Sequence, residues 1–179
     1  MIHRIIKRLL LYKWSLAIKP LRTARGCAAL RSFEPSKAKR SGESLRAPYE
    51  LYINNISRDD MAASLELSGF LQYLCESLNA GKIIDFGSGF SSFVFRNGAK
   101  ANTSMEVWSV DDDFEWMEKT RGYLIQQRVG TGNLIMLNDF LHTNQRNFDL
   151  VFLDLNFVEV RKDYIRPAVE CCKKGGMII

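Results

Sequence analysis

Four acidic positions stand at the ends of short apolar stretches. Asp85 lies in Ile83-Ile84-Asp85-Phe86, Asp111 follows Val107 to Val110, Asn138-Asp139 follows Leu134 to Leu137, and Asp154 follows Phe148 to Leu153. The first stretch runs directly into Gly87-Ser88-Gly89. Glycines there let the backbone bend sharply and let a ligand come close to it. A helix that starts after such a turn aims unbonded N–H groups and a partial positive charge at the same spot, which suits a carboxylate or a phosphate. Ser91 and Ser92 would add hydroxyl donors. Asp111 ends the next apolar stretch, 22 residues beyond Gly89, where a carboxylate accepts both hydroxyls of a ribose. The chemistry written in these residues is that of an adenosine-containing ligand.

Two details narrow the ligand. The dinucleotide fingerprint Gly-x-Gly-x-x-Gly wants a third glycine, and Ser92 stands in its place. Asp85 precedes the first glycine by two residues. A carboxylate there repels a pyrophosphate and suits a cation, such as the ammonium of an amino acid. Both features count against an NAD(P)-dependent oxidoreductase, the alternative enzyme reading. His142 lies in a polar loop and titrates near neutrality, as a general base must; its surroundings also fit a plain surface histidine. Trp108, Trp116 and the Phe90–Phe95 stretch read as core rather than as a substrate stack.

These positions need elements to hold them. Asp59 or Asp60 caps a helix whose apolar residues recur at Met61, Leu65, Phe70, Leu74 and Leu78, and Asn79-Ala80-Gly81 ends it. Strands follow at 82–86, 107–110, 133–137, 148–153 and 177–179. Helices are expected at 90–97, 114–128 with Asp113 as cap, and 156–173, where Pro167 should strain or break the helix. The strands are short and continuously apolar, as strands covered on both faces are. Strand and helix alternate, so the fold class is α/β with a doubly wound, Rossmann-like parallel sheet. Ligands in such sheets sit beyond the carboxyl ends of the strands, where the acids cluster.

The chain has 179 residues, 46% of them apolar and 25% charged, with a net charge of +5. That composition excludes disorder and a fibrous protein, and no apolar run reaches the ~20 residues of a membrane span. The four cysteines include the adjacent pair Cys171-Cys172 and no C-x-x-C. They speak against a disulfide scaffold or a four-cysteine zinc site and for a reducing, cytoplasmic setting. The adjacent pair reads as helix packing.

The charge is uneven. Residues 1–48 carry twelve Lys/Arg and two acids, whereas residues 49–179 are mildly acidic. A basic N-terminal arm and linker (1–48) precedes the ligand-binding domain (49–179). In 2–10, Ile2, Ile5, Ile6 and Leu9 share one helical face, opposite His3, Arg4, Lys7 and Arg8. Such an arm suits peripheral membrane contact through residues 1–20, organelle targeting, or packing on its own domain. The acidic body argues against a nucleic-acid partner. Residues 34–48, polar with Pro and Gly, read as linker.

Ile83-Ile84-Asp85-Phe86-Gly87-Ser88-Gly89 resembles motif I of the class I S-adenosylmethionine-dependent methyltransferases. Val107 to Asp111, Leu134 to Asp139, Phe148 to Asp154 and Lys173 to Ile179 resemble, in order, the later strand motifs of that superfamily. The wording is most similar to small-molecule O-methyltransferases, including the catechol type.

The resemblance implies S-adenosylmethionine as cofactor. Gly87, Ser88 and Gly89 would wrap its methionine part and Asp85 would reach its amino group. Asp111 would bind the ribose with Asp112 near the adenine, and Asp139 and Phe140 would flank the adenine. Asp154 would sit nearest the transferred methyl, as the catalytic position; in metal-dependent members the matching acid binds magnesium. A divalent metal is not decided by these residues. After the fourth strand, Leu155-Asn156-Phe157 lacks the Pro-Pro-aromatic pattern of amino-methylating members. The expected acceptor is therefore a hydroxyl of a small molecule or sugar. The family's sixth and seventh strands have no counterpart, so the domain reads as incomplete. The expected fifth strand is then an open edge, which a second copy of the chain would cover. A non-catalytic binding module is the alternative to an enzyme.

Overall fold

The computed structural model describes residues 33–78, 80–156 and 158–179, with the side chain of Val158 outside the description. The amphipathic stretch 2–10, and with it the membrane and targeting expectations for residues 1–20, lies outside the described residues, as do Asn79 and Phe157. The body that follows is one compact unit from Glu34 to Ile179. None of its described helices is long and apolar enough to cross a membrane.

Five parallel strands form one sheet: β1 (Lys82–Phe86), β2 (Glu106–Asp111), β3 (Leu134–Met136), β4 (Phe148–Leu153) and β5 (Cys172–Ile178), in the order β3-β2-β1-β4-β5. The α/β reading holds. β1 is the first strand and sits in the middle, so successive crossovers run outward to either side and the strand order reverses there. Alternation along the strands fills two cores. Ile83, Val107, Leu150 and Phe152 face one core; Ile84, Phe86, Trp108, Val110 and Val151 face the other. The first is covered by α3 (Leu65–Leu78), α4 (Phe90–Ala99) and α5 (Phe114–Gln126), the second by α6 (Leu137–Leu141) and α7 (Val158–Cys171). Each fully buried Phe or Ile contributes about 1.5–3 kcal/mol. The Asp149 carboxylate ties the two central strands together at their start, accepting from Gly81 N and Lys82 N at 2.8 Å each.

Several elements depart from the sequence expectation. Residues 35–55 form two helices, α1 (Pro35–Ser44) and α2 (Arg46–Asn55), where the composition reads as linker. Pro35 sits in the first turn of α1, where its fixed φ suits a helix start. Gly42 and Ala38 face α3 at Gly69: a Cβ on Gly69 would lie 2.6 Å from Ala38 O and 2.7 Å from Gly42 N and Cα. The glycine that suggests a flexible linker is a helix-crossing point. α2 is fixed by Tyr123, whose hydroxyl donates to Pro48 O at 2.7 Å. The helix expected from Met61 begins at Leu65; Ser64 Oγ accepts Leu67 N at its start. α7 runs through Pro167 without ending. Cys171 closes α7 and Cys172 opens β5. Gly175-Gly176 lies inside β5, not before it: from Phe148↔Cys172 to Leu150↔Met177, β5 advances five residues against two. Gly175, at φ +84°, belongs to that bulge.

Gly69→Ala tests the helix crossing. All three close contacts are to backbone atoms, which cannot turn aside. The variant should lose about 1–3 kcal/mol, outweighing the ~1 kcal/mol that alanine gains in helix propensity. Each kcal/mol lowers the melting midpoint by roughly 2–4 °C. An unchanged midpoint in thermal denaturation would mean that α1 and α3 do not meet there.

Candidate active site

The chain leaves β1 at Phe86 and turns on Gly87, which has φ +105°. A Cβ at this position would lie 2.5 Å from Asp154 O and 2.9 Å from Leu155 Cα. Conformation and space both demand glycine. The turn is stitched to its neighbours: Gly87 N donates to Val110 O and Asp154 N to Phe86 O, each at 2.8 Å. Ser88 is gripped from two sides. Its N–H donates to Asp111 Oδ2 at 2.6 Å, and its carbonyl accepts from Trp116 Nε1 at 2.7 Å. Asp111 Oδ1 accepts Asp113 N at 3.0 Å. Asp113 in turn caps α5, accepting from Trp116 N, as its sequence position predicts.

Above this turn opens a cleft of about 890 Å³, within the ~300–1,000 Å³ of small-molecule sites. It lies at the carboxyl ends of β1, β2 and β4. Gly87, Ser88, Gly89, Asp111, Asp112 and Asp154 all line it. Of the nine site residues expected from sequence, these six are brought together.

The other three lie elsewhere. Asp85 does not line the cleft; it is fully buried beneath the turn. Its carboxylate accepts from Ser92 Oγ at 2.6 Å and from Ser91 Oγ at 3.1 Å. Burial pushes its carboxyl up to about 7, against the lowering effect of the two serines and Arg96. β3 ends at Met136, and α6 carries Asp139 to the solvent-exposed side. Phe140 is fully buried, 5.8 Å from the Phe86 ring and 5.9 Å from Trp108. That packing, not a ligand, occupies its faces. His142 is exposed outside the cleft lining, its Nδ1 2.6 Å from Asn138 O.

Residues beyond the sequence reading complete the walls. Tyr52, Asn54 and Asn55 come from α2, and Ile56 to Ser64 follow as an irregular wall. The Tyr52 hydroxyl stands over Gly89, 3.3 Å from where a Cβ would be. Trp116, expected in the core, is half-buried in the cleft lining instead, its Nε1 bonded to Ser88 O. Arg161, also in the lining, pairs with Asp154 at 2.7 Å and donates to Leu155 O and Asn156 O. Burial raises the Asp154 carboxyl above the ordinary range, and Arg161 opposes that rise.

Among the described residues no three His, Cys, Asp or Glu side chains gather as a metal site, and the Asp154 carboxylate faces the Arg161 guanidinium. The acidic lining of the cleft fits an adenosine ligand bearing positive charge. A carboxylate offers about four lone-pair sites. Asp111 accepts the Ser88 and Asp113 amides and also lines the cleft, where a ligand's hydroxyls can reach its carboxylate. The lining carries Asp60, Asp111, Asp112, Asp113 and Asp154 against Arg58 and Arg161. Each arginine is paired with one of those acids.

No protein-family model and no curated protein matches the chain. Solved structures do. The SAH-bound methyltransferase PaMTH1 of Podospora anserina matches with a TM-score of 0.58 and 18% identity, over 75% of this chain and 59% of that one. The O-methyltransferase TomG of Streptomyces achromogenes, involved in tomaymycin synthesis and in complex with SAM, gives 0.54 and 16%, over 82% and 65%. An O-methyltransferase from Bacillus cereus in complex with SAH gives 0.50 and 14%, over 84% and 67%. The chain has the Rossmann-like fold of the class I S-adenosylmethionine-dependent methyltransferases. It spans about three fifths to two thirds of the length of these structures.

Asp85 sets a pH test. Its folded-state pKa, about 7, exceeds the ~3.9 of an unfolded aspartate. The folded state therefore binds more protons between those values, and this group's contribution to stability falls as pH rises from about 4 to 7. Asp111 and Asp154 are shifted the same way but are common to parent and variant. Asp85→Asn should gain stability relative to the parent over that window. Denaturant melts at pH 4.5 and 7.5 that show a constant difference would refute the burial-driven shift.

Proposed function

We propose that this chain binds S-adenosylmethionine in the cleft and transfers its methyl group to a hydroxyl of a small molecule or sugar. The observation that carries the reading is the acidic cleft on the Gly87-Ser88-Gly89 turn, with Asp111 held by two backbone amides in its lining, where a ribose hydroxyl can reach it. A sulfonium and an ammonium both suit its negative balance. The start of α4 at the same turn offers N–H groups and a partial positive charge to a carboxylate.

S-adenosylmethionine, when bound, supplies a methyl already activated by its positive sulfur. What remains for the protein is alignment and the exclusion of water. Asn54, Asn55, Ser57 and Ser64 on the far wall are neutral hydrogen-bonding groups, matched to a hydroxylated acceptor. A hydroxyl must lose its proton, and the Asp154 carboxylate is the group to take it. Its raised pKa makes it a better proton acceptor than an exposed aspartate. Arg161 holds it in place.

Thermal shift tests the binding step. S-adenosylhomocysteine at a hundred times its dissociation constant adds ~2.7 kcal/mol, or roughly 5–10 °C for a chain of this size. NAD should give no shift. Asp111→Ala should abolish the increment, whatever it does to the starting midpoint. A folded parent with no response to S-adenosylhomocysteine would overturn the reading.

A further inference from the structure

Asp85, fully buried and outside the cleft lining, belongs to a chain of contacts that ends at the cleft. Five groups are linked in sequence. Arg96, only 6% exposed, donates from Nη1 to Ser109 Oγ at 2.6 Å and to Ser92 O at 3.2 Å, and from Nη2 to Gly132 O at 3.0 Å. Ser109 Oγ, on the neighbouring strand and paired in register with Asp85, lies 3.5 Å from Asp85 Oδ2. Asp85 Oδ2 accepts from Ser92 Oγ at 2.6 Å. Ser92 Oγ accepts from Gly89 N at 3.2 Å. The last link reaches the cleft, because Gly89 is part of its floor.

We propose that Asp85 is a positioning residue for this site, acting through Ser92 on the Gly89 amide. A serine hydroxyl has one proton and two lone pairs. Above about pH 7, where the buried Asp85 is ionised, its carboxylate claims that proton, so the oxygen presents only lone pairs to Gly89 and must accept its N–H. The glycine turn is thereby held in one shape from below, with Arg96 steadying the carboxylate from behind. Ser92 occupies the place of the third glycine of the dinucleotide fingerprint and does a different job there. Other charged or titratable groups that act on Asp85 are Arg96 from α4, Asp154 after β4 and Tyr52 from α2; none supplies a second path to Gly89 N.

The inference rests on the proposed cofactor reading for its binding arm and stands apart from it in a second arm. In the first, calorimetric affinity for S-adenosylhomocysteine is measured for the parent, Ser92→Ala and Ser92→Thr, with Phe148→Leu, in the opposite core at the amino end of β4, as a destabilised control outside the cleft lining. Ser92→Ala should bind roughly tenfold more weakly, the worth of one hydrogen bond. Ser92→Thr, which keeps the hydroxyl, should recover most of the affinity, and Phe148→Leu should match the parent. Equal binding by parent and Ser92→Ala, or equal loss in Ala and Thr, would overturn the proposal. In the second arm, amide hydrogen exchange at Gly89 is followed by NMR without ligand. Protection should fall in Ser92→Ala and in Asp85→Leu, and be kept in Ser92→Thr. Unchanged protection in Ser92→Ala overturns the relay, whereas a parent that shows this protection and no S-adenosylhomocysteine affinity overturns only the cofactor reading.

Discussion

Gly87 lies so near the Asp154–Leu155 peptide that any side chain would enter it. This approach brings the end of β1 and the end of β4 into direct backbone contact, and the cleft opens above the join. Because the sheet is parallel, β2 delivers Asp111 to the same edge. Its carboxylate then binds the Ser88 and Asp113 amides together. Displacing Gly87 would move the floor, the acid and the start of α5 as a set. The helices around the sheet chiefly keep these three strand ends in register.

The parts of this arrangement that could be read from sequence are those where one physical signal dominates. The strands are continuous apolar runs, and Gly87, Ser88, Gly89, Asp111, Asp112 and Asp154 follow from their ends. Asp85 shows where type and position are insufficient. It is two residues from Ile83 and therefore shares that face of β1, which α3 and α4 cover, and its register partner is Ser109. Strand parity places Asp85 on the covered face, away from the cleft. Phe140 and Asp139 depart from the expectation for a different reason. β3 is only three residues long, and a helical turn follows at once to bury Leu137 and Phe140. α1 escaped because its sequence is polar with a glycine. Its reason for folding lies in α3, 27 residues beyond Gly42, where another glycine gives it room. Arg161 and the α2 wall carry no local motif at all; only the tertiary fold brings them to Asp154 and Gly89.

The site's electrostatics follow from the same geometry. Acids at parallel strand ends crowd one edge, and charge there is tolerable only where it is solvated, paired or hydrogen-bonded. Asp112 and Asp113 are exposed, Asp154 has Arg161, and Asp111 has two amides. Asp85 has serine hydroxyls and the nearby charge of Arg96 but is fully buried, and its carboxyl is the one raised to about 7.

The Gly42–Gly69 crossing constrains how this sequence can drift. Many helix contacts let one residue shrink while its partner grows, so that paired substitutions keep the volume between them. Here both residues are already as small as a residue can be. Enlargement at Gly69 meets the α1 backbone and finds no compensating reduction at Gly42. Coordinated change is closed to this pair, and descendants that lose Gly69 must move the first helix bodily away. That helix leads into the one carrying Tyr52, so the loss would be felt at the far wall of the cleft.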